Sequence, residues 1–521
     1  MKRRTGKQAS TCTKTCSRQR MGQSNGHQYP WVNQLKLERL VLVATNREGS
    51  RKHSARTWKP MNETDLRAYV GLLILAGMYR SWGEAAVSLW NAEFGRAIFR
   101  ATMSLKDFYR YSKTLRFDDR ESRHVGGRSS DKLAAIREVW DMWCERLPAL
   151  YNPGPDVTVD ERIVPFKGRC SFLQYMPMKP AKYGLKLWVA CKAKTSYAWR
   201  MQAYTGRQDA SATARERNLA LRVVLDLTQG LEHRMVTCDN FFTSYELARV
   251  LRNNNITKLV SVHGRQVFSS RFALSELATL VSYVPKRGKT VLLLSIGHPR
   301  PKIDSQRKDR KPHLILDYNR TKGGVDNLDK VLAGYSCRRM TERWPVALFH
   351  NIIDVSAYNA YVIWRETHPE WMPGKRNRRR LFLEQLGKDL FTPLIMRREH
   401  APRAEPVYAL MSAVREACSD ATAPQRSEKR KRCQLCPRTD TGATHNKAYR
   451  YNMTKETGRP AVVSTYTDLS AVRCKLELYL TLLSRRLLLF FRLIHNQQQS
   501  TQHAQLPTRT KATAESATYS P

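Results

Sequence analysis

The apolar positions first become regular at about Leu37; residues 1 to about 35 are polar, basic and without period, and are read as disordered. Asn62-Glu63-Thr64-Asp65 supplies a cap and early acids for a helix through Ala68–Ala76, and a second helical pattern covers about Leu133 to Arg146. The period changes at Pro153-Gly154-Pro155. Val157, Val159 and then Ile163 begin a set of short strands, with Asp160 closing the first. Leu185–Cys191 and Trp199–Tyr204 follow as strands, Leu219–Leu227 as a helix, and Met235–Cys238 as a fourth strand ending in Asp239. Thr243 or Ser244 caps a helix through Glu246–Leu251, which Asn253-Asn254-Asn255 ends, and Leu259–Val262 is a fifth strand. Three strands, helix, strand, helix, strand is a mixed α/β order.

Residues 263–312 break that regularity, with one clear strand at Thr290–Ile296 and a basic stretch from Pro299 to Lys311; they read as a β-rich insertion. Helix resumes near Val325, and a long helix fills Pro345–Trp364. Residues 402–432 look like a linker ending in Lys429-Arg430-Lys431-Arg432, and the chain from Gln497 onward is rich in Gln, Ser and Thr.

Charge narrows the partners. With 90 basic and 45 acidic residues the chain carries a formal +45, which calls for a polyanion, nucleic acid before an anionic membrane surface. No apolar run follows Met1-Lys2-Arg3-Arg4, so no secretory signal is expected. The most apolar late stretch, Leu476–Ile494, is broken by Ser484, Arg485, Arg486 and Arg492, which disfavours a bilayer span. Eleven cysteines without such a signal point to reduced thiols, and only Cys433-Gln-Leu-Cys436 has metal-ligand spacing.

Three groups of acids carry candidate chemistry. Asp160 and Asp239 each follow an apolar strand, where a carboxylate is either catalytic or a turn former. Thr321-Lys-Gly-Gly-Val-Asp326-Asn-Leu-Asp329 places two aspartates three apart, on one face if helical, behind two glycines that let the backbone approach closely. Helix-dipole preference accounts for one of these acids better than for two. Carboxylates gathered from two strands and a helix suit hard divalent cations and phosphodiester cleavage by a pair of them. Arg162, Lys167, Arg169, Lys179, Lys182 and Lys186 flank the first acid and are placed to hold DNA phosphates. Lys375, Arg376, Arg378, Arg379 and Arg380 form a second basic run, read as a phosphate contact, an import signal or a solvated helix end; Lys429–Arg432 is the better import signal.

These same segments resemble piggyBac transposases. The resemblance rests on Glu63–Asp119 (including Tyr69-Val-Gly-Leu-Leu and Leu115-Arg-Phe-Asp-Asp), Val159–Arg169, Lys179–Lys186, Cys238-Asp-Asn-Phe-Phe-Thr-Ser244, Tyr318–Asp329, Tyr335-Ser336 and Arg343–Leu348, and it spans roughly residues 36 to 370. By that resemblance Asp160, Asp239 and Asp326 match three catalytic aspartates, Asp329 a fourth required one, and Trp344 a tryptophan near the active site, whose other reading is helix-start packing. The implied fold is α/β, an RNase H-like catalytic core with a β-rich insertion, flanked by a split, mainly helical domain and a disordered or truncated C-terminal tail. In this chain the layout would be a helical dimerisation and DNA-binding domain at 36–155 and 336–401. The core would occupy 156–262 and 313–335, the insertion 263–312, the linker 402–432, and a remnant of a cysteine-rich domain 433–521.

The implied enzyme is a nuclear DNA transposase using two Mg²⁺ ions, or Mn²⁺ in their place, held by Asp160, Asp239, Asp326 and Asp329. It would nick transposon ends, pass through hairpins and insert at TTAA. Its partners would be double-stranded DNA, with terminal inverted repeats at the ends, and a second copy of the chain, with no membrane. By that resemblance the cysteine cluster of the family's C-terminal zinc-binding region is incomplete here. Cys433 and Cys436 open it, but beyond them one cysteine remains, the distant Cys474, with His445 the nearest histidine, and two cysteines cannot close a four-ligand zinc site. The alternative is a domesticated or decayed relative that binds DNA without cutting. A basic RNA-binding protein would explain the charge but not the ordered acidic motifs.

Overall fold

The computed structural model describes residues 36–54, 56–125, 131–206, 219–242, 265–275, 278–400, 402 and 404–422. The expected helix at Glu246–Leu251, the strand at Leu259–Val262, the Lys429–Arg432 run and Cys433 and Cys436 lie outside these residues.

The first helices are α1 (Lys36–Lys52), α2 (Glu63–Met78), α3 (Leu105–Thr114) and α4 (Arg137–Cys144), with shorter helical turns between them. The capping expected for α2 is present. Asn62 Oδ1 accepts from the Asp65 amide at 3.0 Å, and the Asp65 carboxylate accepts from the Asn62 amide at 3.1 Å. Beyond that first turn α2 is buried along almost its whole length, so it is a central helix and not an amphipathic surface one.

A five-stranded sheet follows. It comprises β1 (Asp156–Pro165), β2 (Gln174–Tyr175), β3 (Tyr183–Lys192), β4 (Ala198–Ala203) and, after α5 (Leu219–Thr228), β5 (Met235–Cys238). β1 lies between β3, antiparallel to it, and β5, parallel to it, while β2 and β4 pair with β3. The expected short first strand is corrected here: β1 is ten residues long and Asp160 sits at its middle. The charged Glu161 and Arg162 look like a strand end in sequence. The ladder nevertheless continues from Asp160↔Val189 to Pro165↔Gly184, and Arg162 is buried against an acidic partner described below.

Residues 270–295 form a second sheet, β6 (Ser270–Leu274), β7 (Thr279–Lys286) and β8 (Lys289–Ser295), where sequence reading finds β8 alone. It packs through Val281 and Tyr283 against Leu314 and Ile315 of α6 (His313–Thr321), forming a small core separate from the main one.

The chain then returns as α7 (Gly324–Gly334), α8 (Trp344–Thr367), α9 (Arg378–Arg397) and α10 (Glu405–Thr422). α8 backs the sheet. Trp143 Nε1 donates to Ser356 Oγ at 2.9 Å, Tyr358 Oη donates to the Thr195 carbonyl at 2.7 Å, and the fully buried Asn359 amide pairs with both backbone groups of Ala198. An amide used in this way satisfies a strand edge as a further strand would. α10 occupies 405–422, within the stretch that sequence reading makes a linker. Val407 and Met411 are buried and Leu410 and Val414 partly so, the one-face spacing of a packed helix. Among the described residues no helix is long and apolar enough to cross a membrane.

α9 returns across α2, and the two cross at glycines. A Cβ on Gly71 would lie 2.9 Å from the Gly387 carbonyl oxygen and 2.9 Å from Leu390 Cβ; one on Gly387 would lie 3.0 Å from Leu75 Cγ. The crossing is anchored at one end by Arg397, 2.5 Å from Asp65, so the capping acid of α2 also holds the last turn of α9. Gly71→Ala gains about 1 kcal/mol of helix propensity but must push the helices apart at a cost of about 1–3 kcal/mol. The expected outcome is a lower melting temperature, read by thermal unfolding, with Ala at an exposed α9 position such as Lys388 as the neutral control.

Candidate active site

Two segments of the same form, Val157-Thr158-Val159-Asp160 and Val236-Thr237-Cys238-Asp239, lie side by side in parallel register. Val157 pairs with Val236, Thr158 with Thr237 and Val159 with Cys238. The next residue on each strand is an acid. β5 stops at Cys238 while β1 continues, so Asp239 leaves the sheet beside the middle of β1. Asp239 is exposed and Asp160 is half-buried.

The third acid is brought to this place by the threonines two residues before the first two. Thr158 Oγ1 donates to the Thr321 carbonyl at 2.6 Å, and the Thr237 and Thr321 hydroxyls are 2.7 Å apart. All three threonines are buried, so the end of α6 is fixed to both strands. Gly324 then lets α7 start hard against β1, because a Cβ there would fall 2.5 Å from Thr158 Oγ1. Of the two glycines singled out in sequence, Gly324 makes the close approach; Gly323 faces open space. Val325, Leu328 and Leu332 are buried, which leaves Asp326 exposed and Asp329 half-buried.

The two acids of α7 have different partners. Asp329 Oδ1 accepts from Arg162 Nε at 2.7 Å, and the same guanidinium donates to Asn351 Oδ1 of α8 at 2.7 Å. Arg162 is 5% exposed, so this is a nearly buried ion pair that ties β1 to α7 and α8. Asp326 faces Lys179 instead. The ammonium lies 3.9 Å from Asp326 Oδ1 and 4.0 Å from Glu161 Oε1, and donates to the Glu161 carbonyl at 3.1 Å.

The electrostatics connect these groups. Burial pushes the Asp160 carboxyl up to about 6. The Glu161 amide and Lys179 oppose the shift, and the charges of Glu161 and Asp239 add to it. Tyr318 on α6 is raised first by burial and then by the charges of Asp239, Asp160, Cys238 and Asp326. The donor chemistry fits a hard divalent cation, since every candidate ligand is a carboxylate. The set is not closed: among the described residues no three His, Cys, Asp or Glu side chains gather tightly enough to hold a metal ion. Lys179 supplies a positive charge shared by Asp326, Glu161 and Asp160.

The basic candidates divide by exposure. Lys167, Arg169, Lys182, Lys375 and Arg376 are exposed, and Arg378 is partly so. Arg380 is also exposed, although its Nε reaches Met78 Sδ at 3.2 Å. Arg379, expected among the phosphate contacts, is packed differently from its neighbours. Its guanidinium lies 5.1 Å from the Tyr335 ring and 5.0 Å from the Tyr358 ring and donates to the Val331 carbonyl, so packing orients it inward. Lys186 is likewise engaged, 3.9 Å from the Trp188 ring centroid. Trp344 is half-buried and meets Phe172 edge-on at 5.0 Å. Sequence reading takes Arg162 and Lys179 as phosphate holders and passes over Glu161, Tyr318 and the three threonines. The repeated Val-Thr-x-Asp is the signal that would find two of those threonines.

The family described as Transposase IS4 matches residues 36–361. A solved structure, the cryo-EM synaptic complex of piggyBac transposase with hairpin DNA, is similar with a TM-score of 0.66 and 27% identity, covering 78% of this chain and 91% of that one. The match spans both paired strands, the α6–α7 junction and most of α8. The chain thus belongs to the Transposase IS4 family and is a DNA transposase of the piggyBac type.

Proposed function

We propose that the chain cuts and joins DNA with Asp160, Asp239 and Asp326 as its catalytic acids, on a five-stranded sheet that serves as an RNase H-like core. The observation that carries this reading is the parallel register that puts Asp160 and Asp239 next to each other, with the helix bearing Asp326 pinned to the same two strands. Hydrolysis at a transposon end leaves a 3′ hydroxyl, which attacks the opposite strand to give a hairpin; the hairpin is opened and the end joined at TTAA. Asp160, Asp239 and Asp326 would hold Mg²⁺, or Mn²⁺ in its place. Bound there, the ion would supply charge neutralisation at the attacked phosphate and a lowered pKa for water. Asp329 acts through Arg162 as a positioning residue. Lys167, Arg169, Lys182, Lys375, Arg376, Arg378 and Arg380 hold phosphates and fix the register of DNA without reading bases. The helices before β1 and after α7 form one dimerisation and DNA-binding domain split by the core, residues 263–312 are an insertion, and the protein works in the nucleus as a homodimer. A second reading, a relative that binds DNA without cutting, is favoured by the Lys179 contact with Asp326 and by the open carboxylate set.

Excision of a reporter flanked by the element's own terminal repeats separates the two readings. Asp239→Ala is expected to abolish excision while DNA binding and the melting temperature stay near wild type, because Asp239 is exposed. Unchanged excision in Asp239→Ala would remove the catalytic assignment. Asp329→Ala is expected to lose excision differently, with a clear fall in melting temperature. It strands the buried Arg162, at a cost below the roughly 3–5 kcal/mol of a fully buried pair because Asp329 is partly exposed.

The raised Asp160 carboxyl gives a pH test. Below pH 3.8 it is protonated folded and unfolded; between 3.8 and about 6 only the folded chain keeps the proton, so the cost of burying the charge grows with pH and is complete above about 6. Without divalent ions, the melting temperature of Asp160→Asn relative to wild type should therefore rise across that window and level off above it. Adding Mg²⁺ above the window should stabilise wild type and leave Asp160→Asn unmoved. Equal Mg²⁺ responses in the two proteins would exclude Asp160 as a ligand.

A further inference from the structure

Directly after the second acid, Asn240–Phe242 makes a single tight turn that carries two aromatic rings. Phe242 is buried, whereas Phe241 keeps 46% of its surface exposed. Its covered face lies on the buried Trp188 of β3, with centroids 5.1 Å apart and planes 20° from parallel, a stacked pair. The Lys186 ammonium lies 3.9 Å from the Trp188 centroid, 4.9 Å from that of Phe241 and 5.9 Å from that of Tyr204. Three rings around one cation hold the assembly together.

A singly exposed phenylalanine is ordinary on a protein surface. This one differs in its support and its position. Its ring is braced from behind by Trp188 and from the side by Phe242, whose plane stands at 88° to it. It lies two residues beyond Asp239, at the notch where β5 ends beside β1. A flat, braced aromatic face stacks any nucleobase irrespective of sequence. A duplex whose ends are cut and folded into hairpins necessarily contains unstacked bases beside the reacting phosphate.

We infer that the outer face of Phe241 is a stacking platform for an unpaired nucleobase next to the scissile phosphate, and that Lys186 is a positioning residue that holds the platform. The location of the DNA follows from the active-site reading above; the platform itself rests on the ring geometry. Lys186 accordingly does its work among the rings and not on a phosphate.

The test uses the full chain in EDTA and two probes, a DNA hairpin with 2-aminopurine in its loop and a blunt duplex of the same stem. Wild type should quench the 2-aminopurine and bind the hairpin about tenfold more tightly than the duplex. Phe241→Leu should lose both the quenching and the preference while duplex affinity stays within about twofold, since phosphate contacts carry that term. Phe241→Tyr keeps the ring and should retain both. Quenching and preference that survive in Phe241→Leu, or disappear in Phe241→Tyr, would overturn the inference. Cleavage by Asp239→Ala is scored separately. If that variant still cuts while Phe241→Leu loses its hairpin preference, the acid assignment falls and the platform stands; the reverse pair of results sinks the platform alone.

Discussion

The molecule depends on the parallel pairing of β1 with β5 in the one register that aligns Val157-Thr-Val-Asp160 with Val236-Thr-Cys-Asp239. Parallel strands need a long crossover, so these segments, nearly eighty positions apart, meet only because the chain between them passes through β2, β3, β4 and α5 before returning beside β1. Register matters more than proximity. A slip of β1 by one residue would turn Thr158 and Asp160 to the opposite face and break the Thr158 contact to Thr321. Val157 and Val159 are fully buried and Val236 packs partly buried against the same core, which thereby sets the position of the two carboxylates.

On that base the remaining acids are placed by close approach and by charge. Gly324 lets α7 reach β1, and the Arg162 guanidinium joins Asp329 and Asn351 across three elements. The two aspartates of α7, equivalent by spacing, thus acquire different roles. One is locked to a buried cation, and the other faces a lysine that reaches it across solvent at 3.9 Å. The raised carboxyl of Asp160 belongs to the same arrangement, a group kept half out of water beside other negative charge.

Sequence pattern made the α/β order, the strand carrying Asp239, the capping of α2 and the long helix α8 legible, because each has a local signal in its period or its cap. Three features were not legible, for three different reasons. The full length of β1 was hidden because Glu161 and Arg162 are charged, and their neutralisation comes from residues far along the chain. The inward turn of Arg379 was hidden because a run of five cations says nothing about which one finds a pair of tyrosine rings. The helix over 405–422 was masked by its polar composition, although Val407, Leu410, Met411 and Val414 do mark one face. At the site itself the acids could be chosen from their positions after apolar strands. The lysine that contacts Asp326 and the arginine that holds Asp329 could not be assigned to them without the fold.

The α2–α9 crossing has a consequence for how this protein can be broken or inherited in pieces. All the proposed catalytic acids precede residue 335, yet one face of the buried α2 is covered by a helix that begins at Arg378. A truncated product ending just past α7 would carry every acid and still leave a long apolar groove open to water, along with Asp65 stripped of Arg397. Premature stops between those points should therefore yield sticky, insoluble fragments and no minimal cutting enzyme. The chemistry and the late helices can be lost together far more easily than either can be kept alone.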